Sequence, residues 1–216
     1  AFEATTKVCQ WAQQYQLRTH IAHVSTPQEV ELIAQARQNS AISCEVAPHH
    51  FTLTDEAVRG YDTNTKMSPP LRSAKDVEHI KEGLKDGTID IIATDHAPHD
   101  LTDKQVEYQN ACFGIVGLET ALPLTLKLVD EGIFSLSDAI EKLTSSPANI
   151  FALNSGKLSL GKQADIVIFD PNFNYKIDIS KFYSKSKNSP FDGWEVKGKV
   201  LYTLVSGKVV YSAIKN

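Results

Sequence analysis

The sequence has little cysteine, no long apolar run and no surplus of positive charge, and each shortage excludes a class of protein. Its three cysteines, Cys9, Cys44 and Cys112, are too few and too odd a set for a disulfide framework, which points to a reducing, cytoplasmic setting. No stretch approaches the ~18 consecutive apolar residues that a membrane-spanning helix requires. The formal net charge is -4 and the pI is near 6.0, with no basic stripe and no polybasic run. Nucleic acid and anionic membrane surfaces are therefore poor candidate partners. The opening residues, Ala1-Phe2-Glu3-Ala4, lack a starting Met and lack a charged segment ahead of an apolar core, so they do not read as a signal peptide. Phe2, Ala4, Val8, Cys9, Ala12 and Tyr15 recur at roughly helical spacing, so the chain is expected to begin inside a helix of a longer unit.

What is present is the balance of an ordinary globular protein: 216 residues, 42% hydrophobic and 22% charged. The first three-quarters alternate strand, loop and helix. A helix over about 3–14 leads to a strand over 17–24. Thr26, Pro27 and Glu29 then supply an N-cap, a first-turn proline and the reciprocal carboxylate of a capping box. A strand follows over 41–47, then a polar loop from Pro48 to Arg72. Ser73 with Asp76 caps the next helix, and Gly87 ends it. Ile89 to Ala93 is a short apolar run of the kind buried on both faces. A second long loop covers 94–114, and its segment Asp100 to Cys112 reads as a solvated connection, with a loop bordering the site as the alternative. Helices are expected over about 117–131 and 136–144, the second capped by Ser135. A strand over 164–170 and a hairpin turning at Ser206-Gly207 close the chain, with a polar loop over 181–188 between them.

Repeated strand–helix units imply a parallel sheet, hence an α/β fold. Three such strands cannot close a barrel, which in its common form needs eight. In barrels of this type the chemistry lies where strands end and loops begin. Three strand ends carry polar residues that a core does not need: Ala22-His23-Val24-Ser25, Glu45-Val46-Ala47-Pro48-His49-His50, and Ala93-Thr94-Asp95-His96-Ala97-Pro98-His99. Neutral imidazoles and carboxylates are the ligands of a hydrolytic metal centre, and His23 and Asp95 are of the right type in the right place. A carboxylate beside the metal can also take the proton of an attacking water. Each residue has a plainer reading as well. His23 could be a hydrogen-bonded structural histidine, Asp95 a cap, His49-His50 a surface pair, and Glu45 half of a buried ion pair or a hydrogen-bond partner.

Read together, His23-Val24-Ser25-Thr26, Glu45-Val46-Ala47-Pro48-His49-His50, Lys66-Met67-Ser68-Pro69-Pro70-Leu71-Arg72, Thr94-Asp95-His96-Ala97-Pro98-His99 and Phe113-Gly114-Ile115-Val116-Gly117-Leu118-Glu119-Thr120 resemble the C-terminal half of the class I dihydroorotases of the amidohydrolase superfamily. The motifs stand in that family's order and at close to its spacing, over nearly the whole chain. The resemblance implies the C-terminal part of a (β/α)8 TIM-type barrel, strands six to eight with their helices, over 1–153. Residues 154–216 would then be strands of a small accessory β-sandwich. It implies His23 and Asp95 as metal ligands, Asp95 also as the catalytic proton shuttle, and His99, Phe113 and Gly114 as substrate-binding residues. Ser68 stands where the family usually has a substrate-binding asparagine. The implied cofactor is zinc, one ion or two, and the implied reaction is reversible hydrolysis of L-dihydroorotate to N-carbamoyl-L-aspartate in pyrimidine biosynthesis. A homodimer, and association with aspartate transcarbamoylase, are the implied partners. The family's remaining metal ligands lie upstream of Ala1, so the chain alone is expected to be inactive and to bind zinc weakly. Other readings are a dihydropyrimidinase, hydantoinase or allantoinase, or a non-catalytic subunit scaffolding aspartate transcarbamoylase.

Overall fold

The structure is a computed structural model and describes residues 1–213. Its contacts divide the chain into two interleaved units: Ala1–Ala121 with Asp178–Asp192, and Leu122–Ile177 with the residues from Gly193 onward.

In the first unit, α1 (Phe2–Tyr15) ends where Gln16 turns left-handed, and β1 (Thr19–Ile21) follows. The capping box opens α2 (Pro27–Ala36) as the sequence predicts. Glu29 does more than cap. Its buried carboxylate accepts from the backbone of Ser25 and Thr26 and from the Thr26 hydroxyl, and its other oxygen takes the Thr5 hydroxyl at 2.9 Å, tying α1 to α2. A buried carboxylate is tolerable because donors replace the water it loses. Then come β2 (Ile42–Val46), α3 (Pro48–Thr52), α4 (Ala74–Lys85), β3 (Ile91–Ile92) and α5 (Leu101–Lys104). The loop predicted over 48–72 thus begins with a short helix and also holds two 3-10 turns, Asp55–Gly60 and Thr63–Thr65.

The three strands form a parallel sheet in the order β1-β2-β3, with Ile21 opposite Cys44 and Val46 opposite Ile92. The outer strands are shorter than the apolar runs suggest because the chain swings out of extended geometry just beyond them, at His23 (φ 59) and Asp95 (φ 48). Burial alternates along β2: Ile42, Cys44 and Val46 face the core, and Ser43 and Glu45 face the other way. Val24, Ile33, Ile80, Leu84, Ile89 and Ile91 are fully or almost fully buried, each contributing roughly 1.5–3 kcal/mol through lost apolar exposure. At the N-terminal ends of the strands, Arg37 donates to the carbonyls of Ile42 and Thr88 and pairs with Asp90 at 2.6 Å, while Asp90 accepts from the Cys44 amide. Stabilising contacts sit at that end, leaving the opposite rim for chemistry.

The second unit holds α6 (Ala121–Asp130), α7 (Leu136–Leu143), α8 (Ser145–Ile150) and an antiparallel sheet β4-β5-β6 (Ile166–Lys176, Glu195–Val205, Lys208–Ser212). The Ser135–Asp138 capping box and the hairpin at Ser206-Gly207 form as expected, both turn residues having positive φ. α8 is not signalled by the sequence, since Pro147 reads as a breaker although it is tolerated in a first turn. α6 comes so close to β5 that a Cβ on Gly198 would lie 2.2 Å from the Leu126 side chain. Among the described residues, no helix is long and apolar enough to cross a membrane.

Candidate functional site

His23, Glu45 and Asp95 come from three different strands and meet on one rim of the parallel sheet. His23 lies two residues past β1, Glu45 near the end of β2, and Asp95 three residues past β3. The chain stays in register up to this rim through Val24 N–H to the Glu45 carbonyl and Ala93 N–H to the Val46 carbonyl. The left-handed turns at His23 and Asp95 then point both side chains inward. Such turns cost non-glycine residues on the order of 1–3 kcal/mol each and persist where the surroundings enforce them, often at functional sites. His23 Nε2 lies 3.9 Å from Asp95 Oδ1, and His23 Nδ1 lies 4.0 Å from Glu45 Oε1.

This arrangement fits a metal ion. Two ligands of a tetrahedral zinc, with bonds of about 2.0–2.2 Å, stand about 3.3–3.6 Å apart, so the 3.9 Å gap needs to close by only a few tenths of an ångström. A carboxylate behind the second ring nitrogen is the usual outer partner of a metal-bound histidine, and Glu45 is the carboxylate on that side, 4.0 Å from Nδ1 and beyond hydrogen-bond distance. Glu45 is itself held by His20 Nε2 at 3.0 Å, and His20 Nδ1 meets the Ser43 hydroxyl at 2.8 Å. Glu45 thus has a hydrogen-bond partner on the neighbouring strand, His20. The sequence reading passed over His20, although period-two alternation places 20, 43 and 45 on one face.

His49 and His50 are buried, which overturns the reading of them as a surface pair. Both stand on α3, which follows β2 directly, so they turn inward. His50 Nε2 donates to the Pro69 carbonyl at 3.0 Å. His49 Nε2 and His50 Nδ1 are buried with no protein hydrogen-bond partner, a situation that ions or water usually resolve. Burial drives the His50 pKa down to about 4, the Pro69 bond and Asp95 oppose the fall, and the His23 and Arg72 charges add to it. Burial, then repulsion from His50 and His23, holds His49 well below the usual histidine range. Both rings are neutral at pH 7, the form in which histidine binds metals. Arg72 is tied to the Ser25 hydroxyl through Nε and Nη2.

His99, Phe113 and Gly114 form a second cluster. His99 Nε2 donates to the Phe113 carbonyl at 2.8 Å, and the His99 amide meets Asn188 Oδ1 at 3.3 Å. Asn188, buried, donates to the carbonyls of Ala97 and Gly114, and its own carbonyl takes the Val116 amide. Nothing local in the polar stretch 181–188 announces this clamp; its only signal is an asparagine that packing has to satisfy. Ser68 is exposed on the loop beside these clusters, between Lys66, whose carbonyl accepts the Gly114 amide, and Pro69, which receives His50. Among the described residues no hydrogen bond joins Ser68 to His23 or Asp95.

The segment 100–112 is exposed along most of its length, as a solvated connection would be, but it is fastened at two points. Lys104 is buried and its ammonium donates to the Thr63 and Cys112 carbonyls. Lys66, also buried, donates to the carbonyls of Gln109 and Ala111, with the Phe113 ring 4.6 Å away. Two ammonium groups thus fasten this segment to the loop that carries Ser68, because each offers several donors to otherwise unpaired carbonyls. The sequence over 100–112 offers one lysine, Lys104, in a mostly polar run, a pattern that normally signals exposure.

Gly114 is where this cluster is least tolerant. It has φ +97, and a Cβ there would lie 2.6 Å from the Ala97 methyl. Gly114→Ala is expected to destabilise the first unit by roughly 1–3 kcal/mol and to loosen the 97–114 contact. Amide hydrogen exchange checks this: faster exchange at Ala97 and Gly114 is the expected result. A recess of about 510 Å³ in the second unit, lined by Lys127, Tyr175 and Lys197 among others, contains none of these residues.

The chain is similar to known proteins in sequence and in fold. The chain is 54% identical over 193 residues to a dihydroorotase of Geobacter metallireducens, covering 89% of this chain and 46% of that protein. It is 55% identical over 194 residues to a dihydroorotase of Trichlorobacter lovleyi, again covering 89% of this chain and 46% of the other. The chain therefore spans about half the length of the curated relatives it matches. Among solved structures, the L-hydantoinase (dihydropyrimidinase) of Arthrobacter aurescens superposes with a TM-score of 0.92 at 34% identity, over 98% of this chain and 48% of that one. Residues 9–210 match the Amidohydrolase family, and with its rim of His23 and Asp95 the chain belongs to that family.

Proposed function

We propose that the chain acts in a dihydroorotase, a zinc-dependent enzyme interconverting L-dihydroorotate and N-carbamoyl-L-aspartate in pyrimidine biosynthesis. In this reading residues 1–153 supply strands six to eight of a (β/α)8 barrel with their helices, and 154–216 supply strands of a small β-sandwich. The observation that carries it is the convergence of His23 and Asp95 on one rim, 3.9 Å apart, in a chain whose relatives are dihydroorotases.

His23 Nε2 and an Asp95 carboxylate oxygen would hold one zinc ion or two, oriented from behind by Glu45. Bound there, zinc supplies Lewis-acid polarisation of the ring carbonyl and a more acidic water. The protein moves the proton. Asp95 accepts it from the attacking water and passes it to the ring nitrogen as the C–N bond breaks, so that water adds across that bond. His99 and the backbone of Phe113 and Gly114 seat the substrate. The Ser68 hydroxyl offers it a single short oxygen that can donate or accept, where an asparagine would offer a separate donor and acceptor side by side. The reading includes a cytoplasmic location and a homodimer, with aspartate transcarbamoylase as a further partner.

The test joins this chain to the part of the Geobacter metallireducens dihydroorotase that it does not span, and assays four substrates: dihydroorotate, dihydrouracil, hydantoin and allantoin. Zinc-dependent turnover of dihydroorotate above the rest is expected. The chain alone, with two of the three protein ligands that a catalytic zinc requires, is expected to show none. A preference for hydantoin or dihydrouracil would transfer the assignment to the hydantoinases, which the Arthrobacter aurescens superposition makes the second reading.

A further inference from the structure

We propose that the 94–114 loop carries an additional metal site, formed by His99, Asp103 and Cys112, that takes a zinc-class divalent cation. One ligand atom from each residue lies within 4.8 Å of the others, so a pair has to close by up to about 1.5 Å to reach the roughly 3.3–3.6 Å separation of tetrahedral zinc ligands. The mixture of imidazole, carboxylate and thiol selects borderline and soft cations such as zinc over magnesium or calcium. The site shares no residue with the His23–Asp95 pair.

Three further observations describe a frame built before any ion arrives. The Phe113 carbonyl can only accept, so the His99 Nε2 facing it at 2.8 Å carries the proton, and Nδ1 keeps the lone pair. A ring N–H given to a backbone carbonyl is how metal-binding histidines are commonly oriented. The Cys112 backbone is fixed at both ends: its amide donates to the Asp103 carbonyl at 3.1 Å, and its carbonyl accepts from Lys104 at 2.7 Å. The backbones at 103 and 112 are therefore tied to each other. The buried Lys104 ammonium opposes a dication, and a metal-bound Cys112 sulfur and the Asp103 carboxylate together balance the ion's charge. On binding, the Cys112 S–H bond breaks, the sulfur pair goes to the metal, and the proton leaves to solvent. Solvent fills the remaining position, because Asp103 is exposed.

Occupancy would also fix His99, a residue of the proposed substrate seat, so excess zinc should inhibit turnover. The site itself stands whether or not the chain hydrolyses dihydroorotate, and its test does not use activity. Cobalt(II) is titrated into the 216-residue chain and the near-ultraviolet thiolate-to-cobalt absorption is followed. The expected result is a band in the wild type and in His23→Ala, no band in Cys112→Ser, and affinity weakened about tenfold or more in Asp103→Asn. Zinc should displace the cobalt and protect Cys112 from alkylation, a readout made specific by the burial of Cys9 and Cys44. Circular dichroism confirms that each variant is folded. A wild-type titration without the band, or a band surviving in Cys112→Ser, overturns the proposal.

Discussion

Replacing Asp95 by asparagine is expected to lower the turnover of dihydroorotate by roughly 100- to 10,000-fold in the zinc-loaded enzyme built around this chain, the range associated with losing a positioned acid–base group. The substitution is almost isosteric. Asparagine also tolerates the left-handed backbone that Asp95 adopts at φ 48, so the rim should keep its shape and the unfolding midpoint should stay put. What disappears is a group that can accept a proton and an anionic ligand facing His23 at 3.9 Å. The loss should fall mainly on kcat, because His99 and the 113–114 backbone remain to hold substrate. Near-normal kcat in Asp95→Asn would mean that the proton travels by another group.

Acid should destabilise the metal-free protein through its buried histidines. His50 titrates near pH 6.5 when unfolded but only at about 4 in the folded state, so between those values the unfolded chain binds more protons. The folded pKa is the lower one. The contribution is therefore fully present above about pH 6.5, is lost as pH falls towards 4, and declines no further below that. At about 1.4 kcal/mol per pH unit the loss from His50 is about 3 kcal/mol, and His49 shifts in the same direction. Urea midpoints at pH 7 and pH 4.5 measure it. His50→Asn, whose amide can still donate towards the Pro69 carbonyl, should show a flatter dependence. An unchanged slope in the variant would remove His50 from the explanation.

What the sequence makes legible is what short-range chemistry decides. The capping boxes at Thr26–Glu29, Ser73–Asp76 and Ser135–Asp138 each lie within four residues, and all three form. The Ser206-Gly207 turn is likewise local. The rim could be anticipated because parallel strands present their C-terminal ends together, which brings 23, 45 and 95 to one place without any knowledge of packing. Long-range satisfaction of polar groups could not be anticipated. Asn188 clamps 97, 99 and 114 from 74 to 91 residues away. Lys66 and Lys104 are buried because distant carbonyls need donors, and His20 finds Glu45 across strands. α3 and α8 also escape notice, since each is short and carries proline near its start.

Zinc-edge anomalous diffraction from the joined enzyme, loaded with zinc, tests most directly whether His23 and Asp95 share an ion. A peak about 2.0–2.2 Å from both His23 Nε2 and an Asp95 carboxylate oxygen is the predicted result. An empty rim between these two side chains, or an equally strong peak at that position after both are changed to alanine, would contradict it.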